Sequence, residues 1–118
     1  MVAASPRPRV GTLRAGRDVR RVLETGRRFP TRFLVACILP GTDGDALRAA
    51  FVAGRRVGRA VARNRARRLL REAWRANLPR VRAGYDVVFV ARPGLPASRA
   101  ADVTADMRRV LDASGVTA

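Results

Sequence analysis

The run GRRVGRAVARNRARRLLREAWR, Gly54 to Arg75, decides how this chain reads. From Arg55 to Arg75 it carries nine arginines (55, 56, 59, 63, 65, 67, 68, 71 and 75) against the single acid Glu72, a net charge of +8 over 21 residues. A solvated helix ordinarily mixes both signs; one this basic repels itself and makes physical sense beside a polyanion. At about 100° per residue, Ala62, Ala66, Leu69, Leu70, Ala73 and Trp74 fall within roughly one third of the circumference. Asn64, Arg67, Arg68, Arg71 and Arg75 share the neighbouring arc, Arg65 lies beyond it, and Arg63 borders the apolar stripe. The spacing predicts a helix over 59–76, beginning after Gly58 and ended by Pro79. One side of it packs on a sheet and the other presents a ridge of guanidinium groups.

Working outward, residues 18–25 read as a short helix, with Val19, Val22 and Leu23 at i, i+3, i+4 and Gly26 as its stop. Residues 29–39, containing FLVACIL between Pro30 and Pro40, read as one strand. A turn over 41–45 (GTDGD) returns the chain into a second strand at 47–53. After the basic helix, 86–91 (DVVFVA) is a continuous apolar run, the mark of a central strand. Residues 98–113 form a last helix with Val103, Met107, Val110 and Leu111 inward. The order predicts an α+β fold, an α/β sandwich on a small sheet of about four strands. Residues 1–12 read as a flexible basic arm, 13–113 as a single domain and 114–118 as a tail.

Composition narrows the function. The 118 residues carry a net charge of +16, and all 25 basic residues are arginine. Guanidinium forks grip phosphates bidentately and stack on bases. With 47% apolar residues the chain has the material for a core. There is no histidine, which excludes imidazole acid–base chemistry. One cysteine, Cys37, cannot form an internal disulfide and leaves no usual zinc ligand set. The nine acids are scattered, with no carboxylate cluster of the kind a two-metal nuclease needs. No apolar run reaches the about 18 residues of a membrane span. The expectation from composition is a cytoplasmic protein with no protein-bound cofactor, whose leading partner is nucleic acid and whose second candidate is an anionic membrane surface.

The string Arg55-Arg56-Val57-Gly58-x-Ala60-Val61-x-Arg63-Asn64-Arg65-x-Arg67-Arg68-Leu69-x-Arg71-Glu72-Ala73 resembles the bacterial ribonuclease P protein subunit family. Leu13, Asp18, Gly26, Arg32 and the Asp86 to Arg92 stretch fit the same pattern, so the resemblance runs from about Leu13 to Leu111. It implies a sandwich with a left-handed β-α-β crossover through the basic helix, a hand that no sequence pattern announces. It further implies a ribonucleoprotein that removes the 5′ leader from precursor tRNA, a phosphodiester hydrolysis in which the RNA subunit is the catalyst and uses Mg2+. The protein subunit binds that RNA and the leader.

Carried over by resemblance, Arg63, Asn64, Arg65, Arg67, Arg68 and Arg71 contact the RNA subunit. Arg55, Arg56 and Arg59, at the start of the helix, are expected to hold phosphates there. The matching leader cleft is lined by Val19, Leu23, Val35, Cys37 and Val52, with Arg56 and Arg92 at its edge. None of the apolar positions is aromatic, although base stacking is the family's usual device and contributes on the order of 1–3 kcal/mol per base. Val19, Leu23, Val35 and Val52 also suit a plain core. Phe29 and Phe33 read as packing residues that a shifted stacking surface would use. Trp74 sits on the apolar stripe and reads as core, Cys37 as a small buried hydrophobe, and Glu72 as an ion-pair partner of Arg68 or Arg75. The competing reading is a ribosomal or rRNA-binding protein of similar sandwich fold. A lipid-binding helix would need a larger apolar face than this half-alanine stripe.

Overall fold

The computed structural model describes residues 10–13, 16–41, 44 and 46–117. Its elements are β1 (Val10–Thr12), α1 (Gly16–Thr25), β2 (Arg27–Pro30), β3 (Leu34–Pro40), β4 (Leu47–Val52), α2 (Ala60–Asn77), β5 (Tyr85–Ala91) and α3 (Ala100–Ser114). Single turns of 3-10 helix precede α2 (Arg55–Val57), follow it (Leu78–Arg80) and precede α3 (Leu95–Ala97). The strands form one sheet in the order β1-β4-β5-β3-β2. The pairs β4/β5 and β1/β4 are parallel, β3/β5 and β2/β3 antiparallel. The helix α2 is thus the crossover between neighbouring parallel strands, a connection that needs a dozen or more residues.

Two expectations are corrected. The sheet has five strands rather than about four. The first is β1, inside the segment read as a flexible arm; the rest of that arm, residues 1–9, lies outside the described residues, as do 42, 43 and 45 of the expected 41–45 turn and residue 118 of the tail. Val10 and Thr12 are β-formers, but three residues with a central glycine, preceded by proline and arginine, carry no periodic signal. The pairing that makes them a strand comes from β4, with Val10 opposite Leu47 and Thr12 opposite Ala49. The second correction concerns 29–39, which is two strands joined by a turn. Pro30 brings no N–H to the ladder. Thr31 closes the turn with its N–H on the Leu34 carbonyl (2.7 Å). Its hydroxyl hydrogen-bonds the Asp106 carboxylate, which also accepts the Phe33 N–H (3.3 Å). The stabilising carboxylate arrives from 75 residues away, beyond the reach of a local reading.

Alternation along the strands divides the core in two. One face takes Ala49, Val87 and Ile38, then Phe51, Phe89 and Ala36, then Ala91 and Leu34. It is covered by α2 and α3 through Leu69, Leu70, Ala73, Trp74, Val103, Met107, Val110 and Leu111. Burying each larger side chain contributes about 1.5–3 kcal/mol. The other face takes Arg48, Asp86 and Leu39, then Ala50, Val88 and Cys37, then Val52, Val90 and Val35. Here α1 packs over β3 and β5 and inserts the fully buried Val22.

Gly26 joins α1 to β2 in a space that admits nothing larger. A Cβ there would stand 2.5 Å from the Val22 carbonyl oxygen and 3.1 Å from that of Ile38.

Candidate nucleic-acid interface

The apolar stripe of α2 is as the sequence predicts: Ala66, Leu69, Leu70, Ala73 and Trp74 are buried, joined by Asn77. Asn77 is satisfied inside the protein, donating to the carbonyls of Ala73 (2.9 Å) and Thr104 (3.2 Å). Opposite the stripe, Asn64, Arg65, Arg68, Arg71 and Arg75 are exposed. Arg67 differs from expectation: it is half-buried, and its Nη1 donates to Asn64 Oδ1 at 2.9 Å, so the pair holds one guanidinium in a fixed orientation. The Nε of Arg65 donates to the Pro96 carbonyl (2.7 Å), which leans it toward the loop before α3. Arg63, at the edge of the stripe, is half-buried, and among the described residues its Nε has no acceptor. Glu72 lies 4.0 Å from Arg68 with both largely exposed, an ion pair worth a few tenths of a kcal/mol.

The start of α2 departs from ordinary helix chemistry. The first turns of α1 and α3 carry Asp18 and Asp102, as the positive end of the helix dipole favours. The first turn of α2 holds no acid. Its preceding residue is Arg59, which makes no side-chain cap, and Arg55 and Arg56 lie exposed one short turn earlier. Cations in this position are each unfavourable by about 0.3–1 kcal/mol. Gly58 makes the approach possible with φ of +139°; a Cβ there would come within 2.9 Å of that of Ala62. The N–H groups and dipole of a helix start favour anionic oxygen, and arginines 55, 56, 59 and 63 precede or begin this one.

The second region is on the α1 face. In its first two rows Asp86, Val88 and Cys37 are fully buried and Ala50 nearly so. The third row, Val35, Val90 and Val52, is only half-buried, as are Val19 and Leu23 of α1. The structure therefore brings Val19, Leu23, Val35, Cys37 and Val52 into one cluster, with a shallow apolar strip beyond the helix. Cys37 is its floor rather than its lining, and burial pushes its thiol above the usual range despite the opposing charge of Arg28. Arg56 and Arg92 follow the ends of β4 and β5, both exposed, and Arg92 is steadied by a hydrogen bond from Nη1 to the Thr31 carbonyl (2.9 Å). Phe29 and Phe33 pack against the other core. The sequence singles out neither Val90 nor Arg28, the cross-strand partner of Cys37. Strict alternation from the buried Val88 would have found Val90, whereas Arg28 required the β2/β3 register.

Asp86 ties this region together. Its carboxylate accepts Arg48 Nε (3.0 Å) and Nη2 (2.9 Å) from β4 and Arg21 Nη2 (3.1 Å) from α1. Among the described residues no three His, Cys, Asp or Glu side chains converge to hold a metal ion.

Comparison with known proteins agrees with this geometry. The family model described as Ribonuclease P matches residues 8–114. The ribonuclease P protein component of Chloroflexus aggregans is 42% identical over 104 residues, which cover 87% of this chain and 76% of that protein. That of Chloroflexus aurantiacus is 50% identical over 80 residues, 68% of this chain and 58% of that one. The RNase P protein of Staphylococcus aureus has the same fold, with a TM-score of 0.79 at 20% identity over 91% of this chain and 97% of the other. The Thermotoga maritima RNase P protein gives 0.76 at 24% identity, over 86% and 96%. The chain belongs to the bacterial ribonuclease P protein family, as the protein component of a tRNA-processing ribonucleoprotein whose partner is an RNA subunit.

Proposed function

We propose that this protein docks on the RNA subunit through α2 and holds the 5′ leader of precursor tRNA on the α1 face, while the RNA subunit carries out the phosphodiester hydrolysis. The observation that carries the docking is the start of α2. Arg55, Arg56, Arg59 and Arg63 crowd a helix end that already favours anions, an arrangement unfavourable in the free protein and relieved by phosphate. Asn64, Arg65, Arg67, Arg68 and Arg71 extend the contact along the helix. Affinity of this kind falls steeply with salt, because each neutralised phosphate releases counterion.

The half-buried row Val35, Val90 and Val52 offers apolar contact to the bases of an extended strand. Arg56 and Arg92 stand where the backbone phosphates of that strand would run. Magnesium belongs to the RNA in this reading. The buried carboxylates are engaged, Asp86 with two arginines and Asp106 with Thr31, Phe33 and Arg109, and do not fit a metal site. The working compartment is the cytoplasm, where precursor tRNA is made; among the described residues no helix is long and apolar enough to cross a membrane.

The test is cleavage of precursor tRNA at low magnesium with the cognate RNA subunit alone, the protein alone, and both. Restored cleavage at the mature 5′ end only in the mixture is the expected result. Cleavage by the protein alone would overturn the assignment of the chemistry to RNA. Equal cleavage of leader-bearing substrate with and without the protein would remove its proposed role.

A further inference from the structure

A cavity of about 240 Å³ lies between β1, β4 and α2, lined among others by Thr12, Phe51, Arg71, Trp74, Arg75 and Leu78. Its floor is aromatic. Phe51 is half-buried and lies nearly parallel to Phe89 (centroids 6.1 Å apart, planes at 9°), and Phe89 packs in turn against Trp74 at 5.4 Å. Its mouth is cationic: Arg71 and Arg75 are exposed one turn apart on α2, and the Arg71 guanidinium carbon is 5.8 Å from the Phe51 ring centre. Its rim is a sheet edge. Leu13 donates its N–H to the Ala49 carbonyl, so by the parallel pattern the N–H and C=O of Thr12 face away from β4.

A flat ring, two phosphate-binding forks and backbone groups turned away from the neighbouring strand are the components with which proteins seat a single unstacked base. The volume is below the roughly 300–1,000 Å³ of pockets for drug-sized ligands, which suits one ring system with its phosphate left outside. We propose that this cavity receives an unpaired nucleotide of the RNA subunit, its base stacked on the Phe51 ring in place of the Arg71 guanidinium, its phosphate on Arg71 and Arg75 and its edge on Thr12. The source follows from position. The cavity opens beside the exposed arginines of α2, on the sheet face opposite the apolar strip by α1. A strand lying along that strip does not reach it, whereas RNA docked along α2 does. The inference rests on the proposed docking of α2.

The experiment measures the affinity of the full chain for the RNA subunit over a salt series. It compares wild type with Phe51→Leu, with Thr12→Leu, which fills the cavity from an exposed position, and with Arg67→Ala/Arg68→Ala as the docking reference. Loss of stacking should weaken Phe51→Leu roughly 5- to 50-fold with an unchanged salt slope, whereas the double arginine variant should lower the slope itself. Trp74 is the sole tryptophan, so its emission should change on adding RNA to wild type and not to Thr12→Leu. If both cavity variants bind as wild type while the arginine variant is weakened, the cavity assignment falls and the docking reading stands. If all three bind as wild type, both fall. Should Phe51→Leu lose its fold, Thr12→Leu decides alone.

Discussion

Replacing Asp86 by asparagine tests what holds α1, and with it the apolar strip, against the sheet. The carboxylate has no solvent access, while the side chains of Arg21 and Arg48 are 36% and 24% exposed. The Asn side chain has the same shape but only one acceptor oxygen. It turns an NH2 toward two guanidinium groups that now meet three donor contacts with half the acceptors. Removing one partner of a fully buried ion pair costs about 3–5 kcal/mol. Here the stranded charges can turn toward water, which brings the figure to about 2–3 kcal/mol. For a domain of this size that corresponds to a fall in Tm of about 8–12 °C. Circular dichroism melts give the global value, and amide exchange locates it: the amides of α1 should lose protection more than those of α3, which packs on the other face. Arg48→Met should be more damaging than Arg21→Met, because Arg48 engages the carboxylate through two nitrogens and Arg21 through one. A Tm within 2 °C of wild type, with α1 exchanging as before, would refute the idea that this carboxylate pins the helix.

Three further outcomes follow from the packing and the cleft. Gly26→Ala drives a methyl into the Val22 and Ile38 carbonyls and should lower stability by about 1–3 kcal/mol, read from urea unfolding. Burial holds the Cys37 thiol protonated above its ordinary range, so the stability it contributes is present below about pH 9 and is lost as pH rises through the folded value. The urea midpoint of wild type should therefore decline more steeply from pH 8 to 10.5 than that of Cys37→Ala; parallel declines would contradict this. Val52→Phe adds an aromatic ring to the half-open row and should tighten binding of leader-bearing precursor tRNA about fivefold, with mature tRNA unchanged. An equal effect on both substrates would show that the row does not seat the leader.

The basic helix was legible because one helical period separates Leu69, Leu70, Ala73 and Trp74 from the arginines, and no tertiary contact was needed to see it. The central strand β5 was legible by a different signal, the unbroken apolar run Val87 to Ala91. What escaped the sequence was set by distant partners. The three residues of β1 become a strand only beside β4. The Thr31 turn depends on Asp106, which belongs to the last helix. The valines of the cleft were named by resemblance. That Val35, Val90 and Val52 form one open row beyond α1 is a matter of register, which a single chain does not display.

Alternation along the strands would let so small a sheet serve both of the proposed RNA contacts. In β4, Phe51 belongs to the face packed against α2 and Val52 to the face beside α1. In β5, Phe89 and Val90 divide in the same way. Neighbouring residues thus take part in opposite surfaces, and a strand on one face and a folded RNA on the other are separated by the thickness of the sheet. The charge is divided accordingly. The dense arginine cluster belongs to α2 and its approach, whereas Arg21 of α1 is engaged with Asp86. In this reading the α2 face carries most of the phosphate contact and the α1 face mostly apolar contact. Salt should weaken docking of the RNA subunit far more than it weakens the added contact to the leader.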